Sequence, residues 1–377
     1  MQYTKLKDIN EYVSISINPM KLPDTMFEMY SVPIYETGHP EYLSGNEIGS
    51  NKVIVKKNDV LLCKINPRIN RVWVVSDESE HQSIASSEWI VIRSNTYNPE
   101  FLAWYFRCPK FKKLMISEVT GIGGSLTRAQ PKAVAEYPVP VLSIDEQEKI
   151  VGVLNKVNSI IGARKRELQK LDELIRARFV ELFEDGESPI KTVAELCSDI
   201  VDCPHTTPKY TGELKNPAIR TSEIKKGYIT WDSMRYVSDE EYEERVSRLR
   251  PEAGDIVYGR EGTFGNAAVL PKGYKFCLGQ RVMLLRPDYE KCTSEYLLHA
   301  VISDDVYRQA VGKNNASTVA HVNVKDVKQF KIPLPSFDKQ NQFAEFVKQV
   351  DKSKAVIQKS LDEMQLLFDS LMQQYFG

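Results

Sequence analysis

Two stretches of this 377-residue chain gather side chains that can pair with the edges of nucleic-acid bases or hold phosphate. "CKINPRINR" supplies Lys64, Asn66, Arg68 and Arg71, and "VDCPHTTPKYTG", from Val201 to Gly212, supplies His205, Thr206, Thr207, Lys209 and Tyr210. Residues of the same types follow at Ser125 and Arg128, beyond a Gly123-Gly124 pair, and at Arg260, Arg281, Lys313, Asn314 and Asn315. Arginine and lysine suit guanine, asparagine and glutamine suit adenine, and further cations grip the backbone. An exposed basic turn has the same composition, so residue type makes these positions candidates and no more.

Other chemistries are poorly served. Cys203 and His205 form half a metal site without a second ligand pair, and a turn held by Pro204 and Pro208 is the better reading. Gly259, Gly262 and Gly265 follow one apolar run and precede another, which predicts a strand-to-strand turn and not a phosphate cradle opening a helix. No Asn-Pro-Pro-Tyr-like amino-methylation motif and no GxxxxGK[ST] loop occurs, and "PDYEK" from Pro287 is too compressed for a metal nuclease. The expectation is a chain that is not an enzyme and holds neither metal nor cofactor itself.

Composition bounds the rest. At this length, with 42% hydrophobic residues, two or more globular domains are expected. Fifty basic against 51 acidic residues give no net pull toward nucleic acid, so a DNA-binding reading must rest on local loops. Six cysteines without a CxxC pair suit a reducing compartment, and neither a signal-peptide layout nor a long apolar run is present. A cytoplasmic protein with no membrane role is expected.

The elements that must position the loops are written twice. "PVPVLSIDEQEKI" starts at Pro138 and "IPLPSFDKQNQF" at Ile332, and a spacing of 193 residues separates Asp145 from Asp338 and Phe183 from Phe376. "KKNDVLL" at Lys56 is echoed by "EAGDIVY" at Glu252. The prolines impose extended chain, Ser143 and Ser336 can cap a helix, and the acids after them favour its positive end. Leu154, Ile161, Leu168, Ile175 and Leu182 lie on one heptad track, with Val157, Arg164, Leu171 and Arg178 three residues on. In the second copy Val347, Lys354, Leu361, Phe368 and Tyr375 run beside Phe343, Val350, Ile357, Met364 and Leu371. Forty residues of helix span about 60 Å, whereas "DGESP" crosses no more than about 20 Å, which favours antiparallel pairing of the two helices.

Each variable block mixes short β-type runs, such as "EWIVIRS" and "RVMLLRP", with helical stretches such as "PEFLAWYFRCPKFKKLM" and "SEYLLHAVISDDVYRQAV". An α/β (α+β) fold follows, with two heads separated by two long helices that form an antiparallel intramolecular coiled coil with pseudo-two-fold symmetry. The boundaries read 1–143, 144–189 (first spacer helix and linker), 190–335 and 336–377 (second spacer helix).

This layout resembles the specificity subunit of type I restriction-modification systems over essentially the whole chain. "VDCPHTTPKYTG", "GDIVYGREGTFGNAAVL" and "IPLPSFDKQ" carry the resemblance in the second half; "NDVLLCKINPRINRVWVV" and "GIGGSLTRAQ" are looser counterparts in the first. The resemblance implies two target recognition domains, each reading one part of a split, asymmetric site in double-stranded DNA. It implies two modification (methyltransferase) subunits that bring S-adenosylmethionine, and restriction subunits that join them. The same heads would suit the specificity subunit of a type II-like restriction enzyme, and a coiled-coil scaffold with protein-binding heads is the alternative from another class.

Overall fold

The computed structural model describes residues 2–76, 80–117, 119–120, 127–183, 186–262, 265–312 and 322–377. The chain forms two compact units, Met1–Lys165 with Lys359–Gly377, and Arg166–Gln358. Both are mixed α/β, and both are built on the same plan.

In the first unit the strand Val60–Cys63 lies between Val72–Val74 and Trp89–Ile92 in an antiparallel sheet. All four residues of Val60–Cys63 are buried, because alternate side chains enter different cores. Val60 and Leu62 pack with Val72, Ile92 and the aromatic helix Pro99–Arg107, whereas Leu61 and Cys63 pack with Trp73, Trp89 and Tyr30. Tyr30 closes the strand Met26–Tyr30 of a second, five-stranded sheet. Within it Met26–Tyr30 runs parallel to Gln82–Ala85, and the other pairings are antiparallel.

The second unit repeats these layers. Ile256–Gly259 sits between Ala267–Val269 and Val282–Pro287, with Cys197–Asp202 added beyond Val282–Pro287. Ile256 and Tyr258 face a helical core containing Tyr296, while Val257 joins Ile219, Phe276 and Leu284 on the other face. The second sheet orders Tyr210–Thr211, Arg235–Val237, Asn216–Ile219 and Cys277–Leu278. Between Gly259 and Ala267 the chain turns from strand to strand, as the glycine spacing predicts, and Gly262 and Gly265 take left-handed φ of 72° and 85°.

The repeated string closes each unit. Pro138–Pro140 pairs antiparallel with Tyr3–Lys5, and Lys331–Pro333 pairs with Ile190–Thr192, so the prolines occupy two-stranded ribbons that tolerate a missing N–H. Ser143 then caps the helix Ile144–Phe183: its amide and hydroxyl donate to Glu146, and its oxygen accepts from the Glu146 amide. Ser336 accepts from the Lys339 amide at 3.5 Å before the helix Phe337–Phe376, and lysine at that position cannot complete the reciprocal pair.

One turn further in, Gln147 and Gln340 are fully buried. The Gln147 side chain accepts from the Asn98 amide at 2.8 Å and donates to the Leu142 carbonyl at 2.9 Å. Gln340 accepts from the Thr293 amide at 2.9 Å and donates to Pro335 at 3.0 Å and Lys291 at 3.1 Å. Asn98 and Thr293 are the N-caps of the helices Pro99–Arg107 and Ser294–Val301. Each glutamine therefore ties the start of a long helix to the start of a head helix.

The long helices are 40 residues each, and each gives one half to each unit. In the first unit Ile150, Val151 and Leu154 share a core with Met372 and Phe376; in the second, Ile175, Phe179 and Phe183 share one with Phe343, Val347 and Val350. Start meets end in both, so the helices pair antiparallel. In the second unit the cations that interrupt the seam form ion pairs: Lys354 with Asp172 at 2.6 Å, and Arg178 with Glu181 at 2.8 Å.

Candidate nucleic-acid interface

Three segments of the second unit converge at one end of its central sheet. Cys203 N–H donates to the Val282 carbonyl at 3.1 Å, and Arg260 N–H to the Arg281 carbonyl at 2.9 Å. The "DCPHTTPKY" loop, the turn after Gly259 and the approach to Val282 are thereby fixed side by side. Gly279 is bound to this geometry: its N–H donates to Ile219 at 2.7 Å, and an added Cβ would fall 2.6 Å from the Ile219 carbonyl oxygen and from the Arg220 side chain.

His205, Thr206, Thr207, Lys209 and Tyr210 come together on the loop, and the first three and Lys209 are exposed. Asp202 at its root faces His205 Nε2 at 3.4 Å and Arg260 Nη2 at 2.9 Å. Thr207 Oγ1 accepts from Gln280 Nε2 at 2.9 Å. Arg281, at φ 65°, holds its exposed guanidinium 3.0 Å from Glu261. Tyr210 stands back from these, its ring covered by Arg235 at 4.9 Å and Arg220 at 6.0 Å.

Arg260 is the member that does not face solvent. It is 6% exposed, its Nε has no hydrogen-bond partner, and its ion pair with Asp202 braces the loop from beneath. Lys313, Asn314 and Asn315 lie outside the described residues.

The first unit brings its candidates to the corresponding place. Lys64 N–H donates to the Glu88 carbonyl, the Lys64 carbonyl accepts from Ala129, and Asn66 N–H donates to Thr127. These contacts join the hairpin from Lys64 to Arg71 to the segment carrying Arg128. Lys64 Nζ donates to the Ser87 carbonyl at 2.6 Å, Arg128 is forked onto Glu88 at 3.1 and 3.3 Å, and Arg68 is exposed. Asn66, at φ 48°, and Arg71 are half-buried, and Asn66 Oδ1 and Arg71 Nε have no hydrogen-bond partner. Ser125 lies outside the described residues.

The correspondence reaches single hydrogen bonds. Lys64 N–H to Glu88 matches Arg260 N–H to Arg281, and Ala129 N–H to Lys64 matches Val322 N–H to Arg260. Sequence reading missed Gln280, whose amide beside Arg281 was signal enough. It also missed Arg245, which is buried in the helix Asp239–Arg245 and donates to Leu278 at 2.9 Å, Gly279 at 3.2 Å and Thr206 at 3.4 Å. Helical context hid that role.

Among the described residues no three His, Cys, Asp or Glu side chains gather as a metal site, and no helix is long and apolar enough to cross a membrane. Burial raises the thiol of Cys63, despite nearby Arg71, and pushes those of Cys277 and Cys292 up to about 12. None of these three is a ready thiolate nucleophile.

Residues 206–365 match the family model "Type I restriction modification DNA specificity domain". The chain is 20% identical over 344 residues to the type I restriction enzyme MjaVIII specificity subunit of Methanocaldococcus jannaschii, covering 85% of this chain and 78% of that protein. It is 26% identical over 171 residues to the putative MjaX specificity subunit of the same organism, covering 42% of this chain and 39% of that one. Among solved structures, a type I restriction-modification system S subunit from M. genitalium aligns over 100% of this chain and 96% of its own, with TM-score 0.57 and 11% identity. A chain from a study of type I R-M complex assembly and conformational transition aligns over 100% and 97%, with TM-score 0.59 and 18% identity. Residues 206–365 thus match a DNA specificity domain, and the chain as a whole has the fold of type I S subunits. The chain is similar along most of its length to type I restriction-modification specificity subunits.

Proposed function

We propose that the two units are target-recognition heads that read the two parts of a bipartite, asymmetric site in double-stranded DNA for adenine methylation or restriction. The carrying observation is the pair of matched sheet ends: the same backbone bonds seat the hairpin of Lys64, Asn66, Arg68 and Arg71 beside Arg128 in one unit and Arg260 beside Arg281 in the other, where the Cys203 amide fixes the loop of His205, Thr206, Thr207 and Lys209 next to them. Shared frames with different side chains fit two half-sites of different sequence. The same proposal includes Lys313, Asn314, Asn315 and Ser125.

The chain acts without catalytic groups of its own, in the cytoplasm. Chemistry belongs to two modification subunits, which supply S-adenosylmethionine, and to restriction subunits. Exposed Val153, Leu174, Val180, Val356, Leu366 and Leu367 along the long helices offer those partners apolar contact. The test is a genome-wide methylation map of the source cell with and without this gene. Loss of one split adenine motif on deletion supports the reading; an unchanged map in a cell that expresses the complex overturns it.

A further inference from the structure

The second unit carries an aromatic surface that the reading loops do not use. Phe276 is buried in the core, and Tyr274 and Trp231 build outward from it, with ring centroids 5.7 Å from Phe276 to Tyr274 and 4.6 Å from Tyr274 to Trp231. Trp231 is 38% exposed and Tyr274 54%. Lys272 and Lys275 flank Tyr274, both exposed, and Lys275 lies near enough to Asp239, itself paired with Lys215, to help hold that carboxyl low.

This surface is rigid and continuous with the candidate DNA edge. Buried Glu223 accepts from Arg220 at 2.5 Å, Ser222 at 2.6 Å and Ser233 at 2.8 Å, and its carbonyl accepts from Thr230 N–H at 2.8 Å, which fixes the turn bearing Trp231. Burial alone would raise the Glu223 carboxyl, but the bonds from Arg220 and the two serines outweigh it and hold the carboxyl low. Arg220 also reaches the Ser233 carbonyl at 2.9 Å, lies against Gly279 and covers the ring of Tyr210. The strand Cys277–Leu278 leads from Phe276 directly into Gly279, Gln280 and Arg281.

We propose that Trp231 and Tyr274 form a stacking shelf for an unpaired DNA nucleotide next to the second half-site, with Lys272 and Lys275 holding its phosphates. Two partly exposed rings beside exposed lysines, with no amide or acid among the four to read a base edge, suit sequence-tolerant stacking. Bases inside a duplex offer no free face. The inference rests on the DNA-reading proposal, and it adds a contact that binds one strand without reading it.

The test uses intrinsic fluorescence of the full chain by itself. Trp73, Trp89 and Trp104 are 9%, 4% and 6% exposed, so quenching by a stacked base reports mainly Trp231. The oligonucleotide dT8 is expected to quench the unaltered chain saturably; its affinity, read across variants by the anisotropy of dye-labelled dT8 because two of them lack the fluorophore, is expected to be about tenfold weaker in Trp231→Leu and in Tyr274→Leu and retained in Trp231→Phe. Arg281→Ala is expected to leave dT8 binding intact while weakening binding to site-bearing duplex. Absence of quenching by dT8, equal quenching by heparin, or equal quenching by a blunt duplex would each overturn the shelf. Site-specific duplex binding that persists in those cases keeps the DNA-reading proposal standing; its absence alongside intact dT8 quenching sinks that proposal and, with it, the placing of the shelf beside a half-site.

Discussion

The two units differ least where the chain is most deeply buried and most where it meets solvent. Asp59 is fully buried and holds Arg93 through bonds of 2.6 and 2.7 Å; Asp255 holds Arg286 through two of 2.8 Å. Each aspartate also accepts a turn amide, from Lys56 at 2.9 Å or Glu252 at 2.8 Å. Above this repeated brace, one hairpin offers Asn66 and Arg68 where the other has a buried Arg260 and a glycine turn. A duplicated frame can keep its internal hydrogen bonds while its outer side chains diverge, because only the former carry a desolvation penalty when broken.

The largest expected effect comes from breaking the brace. Asp59→Ala leaves a mostly buried Arg93 without its carboxylate, Asp255→Ala leaves Arg286 only the exposed Glu252 at 3.7 Å, and each should cost about 3 kcal/mol. Denaturant unfolding of the full chain, followed with a probe in each unit, measures both. If only one variant is destabilised, the braces are not equivalent and the comparison fails.

Next come the joints. Gln147→Leu and Gln340→Leu leave the Asn98 or Thr293 amide without its side-chain acceptor, at a cost of about 2 kcal/mol each. The loss should appear as faster hydrogen exchange at the start of the helix Pro99–Arg107 or Ser294–Val301, each in its own unit. Unchanged exchange at both helix starts would show that the repeated glutamine is not what ties these helices down.

The joints were legible in the sequence because their cause is local. Proline spacing, a serine cap and a heptad track are short-range signals, and the helix ends at Phe183 and Phe376 preserve the 193-residue spacing. The candidate site was legible by type and not by exposure. Arg260 and Arg281 read alike as cations near a glycine turn, yet one is under the loop and the other on it, because the strand alternation that buries Tyr258 and the carboxylate of Asp202 draw Arg260 inward. Arg245 gave no signal at all, since its targets are carbonyls more than thirty residues away.

A smaller effect should separate the outer surfaces. Arg281→Ala is expected to weaken methylation of the site about tenfold through one half alone, the magnitude of one good base contact. Arg68→Ala should do the same through the other half. Scoring methylation on substrates altered in one half at a time sharpens the comparison; relaxation of both halves by either variant would break it.

The smallest effect lies where the opening helices differ. Thr192 and Glu195 form a reciprocal cap on the helix Val193–Leu196, whereas Lys5, at the matching position before Leu6–Ile9, has no side-chain cap. The Thr192 amide, then the Lys191 ammonium and the Thr192 hydroxyl, hold the Glu195 carboxyl at about 2, against an ordinary 4.5. In the first unit Glu136, beside the opening helix, is held low through Lys7 at 2.7 Å and Lys5 at 2.9 Å. Both carboxyls are depressed on folding, so both contribute stability above pH 4.5 that is lost as pH falls through their folded values. The causes differ: ion pairs between exposed groups are screened by salt, and a bond from a backbone amide is screened far less. NMR titration at low and high salt should therefore move the Glu136 transition toward the ordinary value while Glu195 stays low. If both move together, the cap contributes nothing beyond charge, and the two units open on the same physics after all.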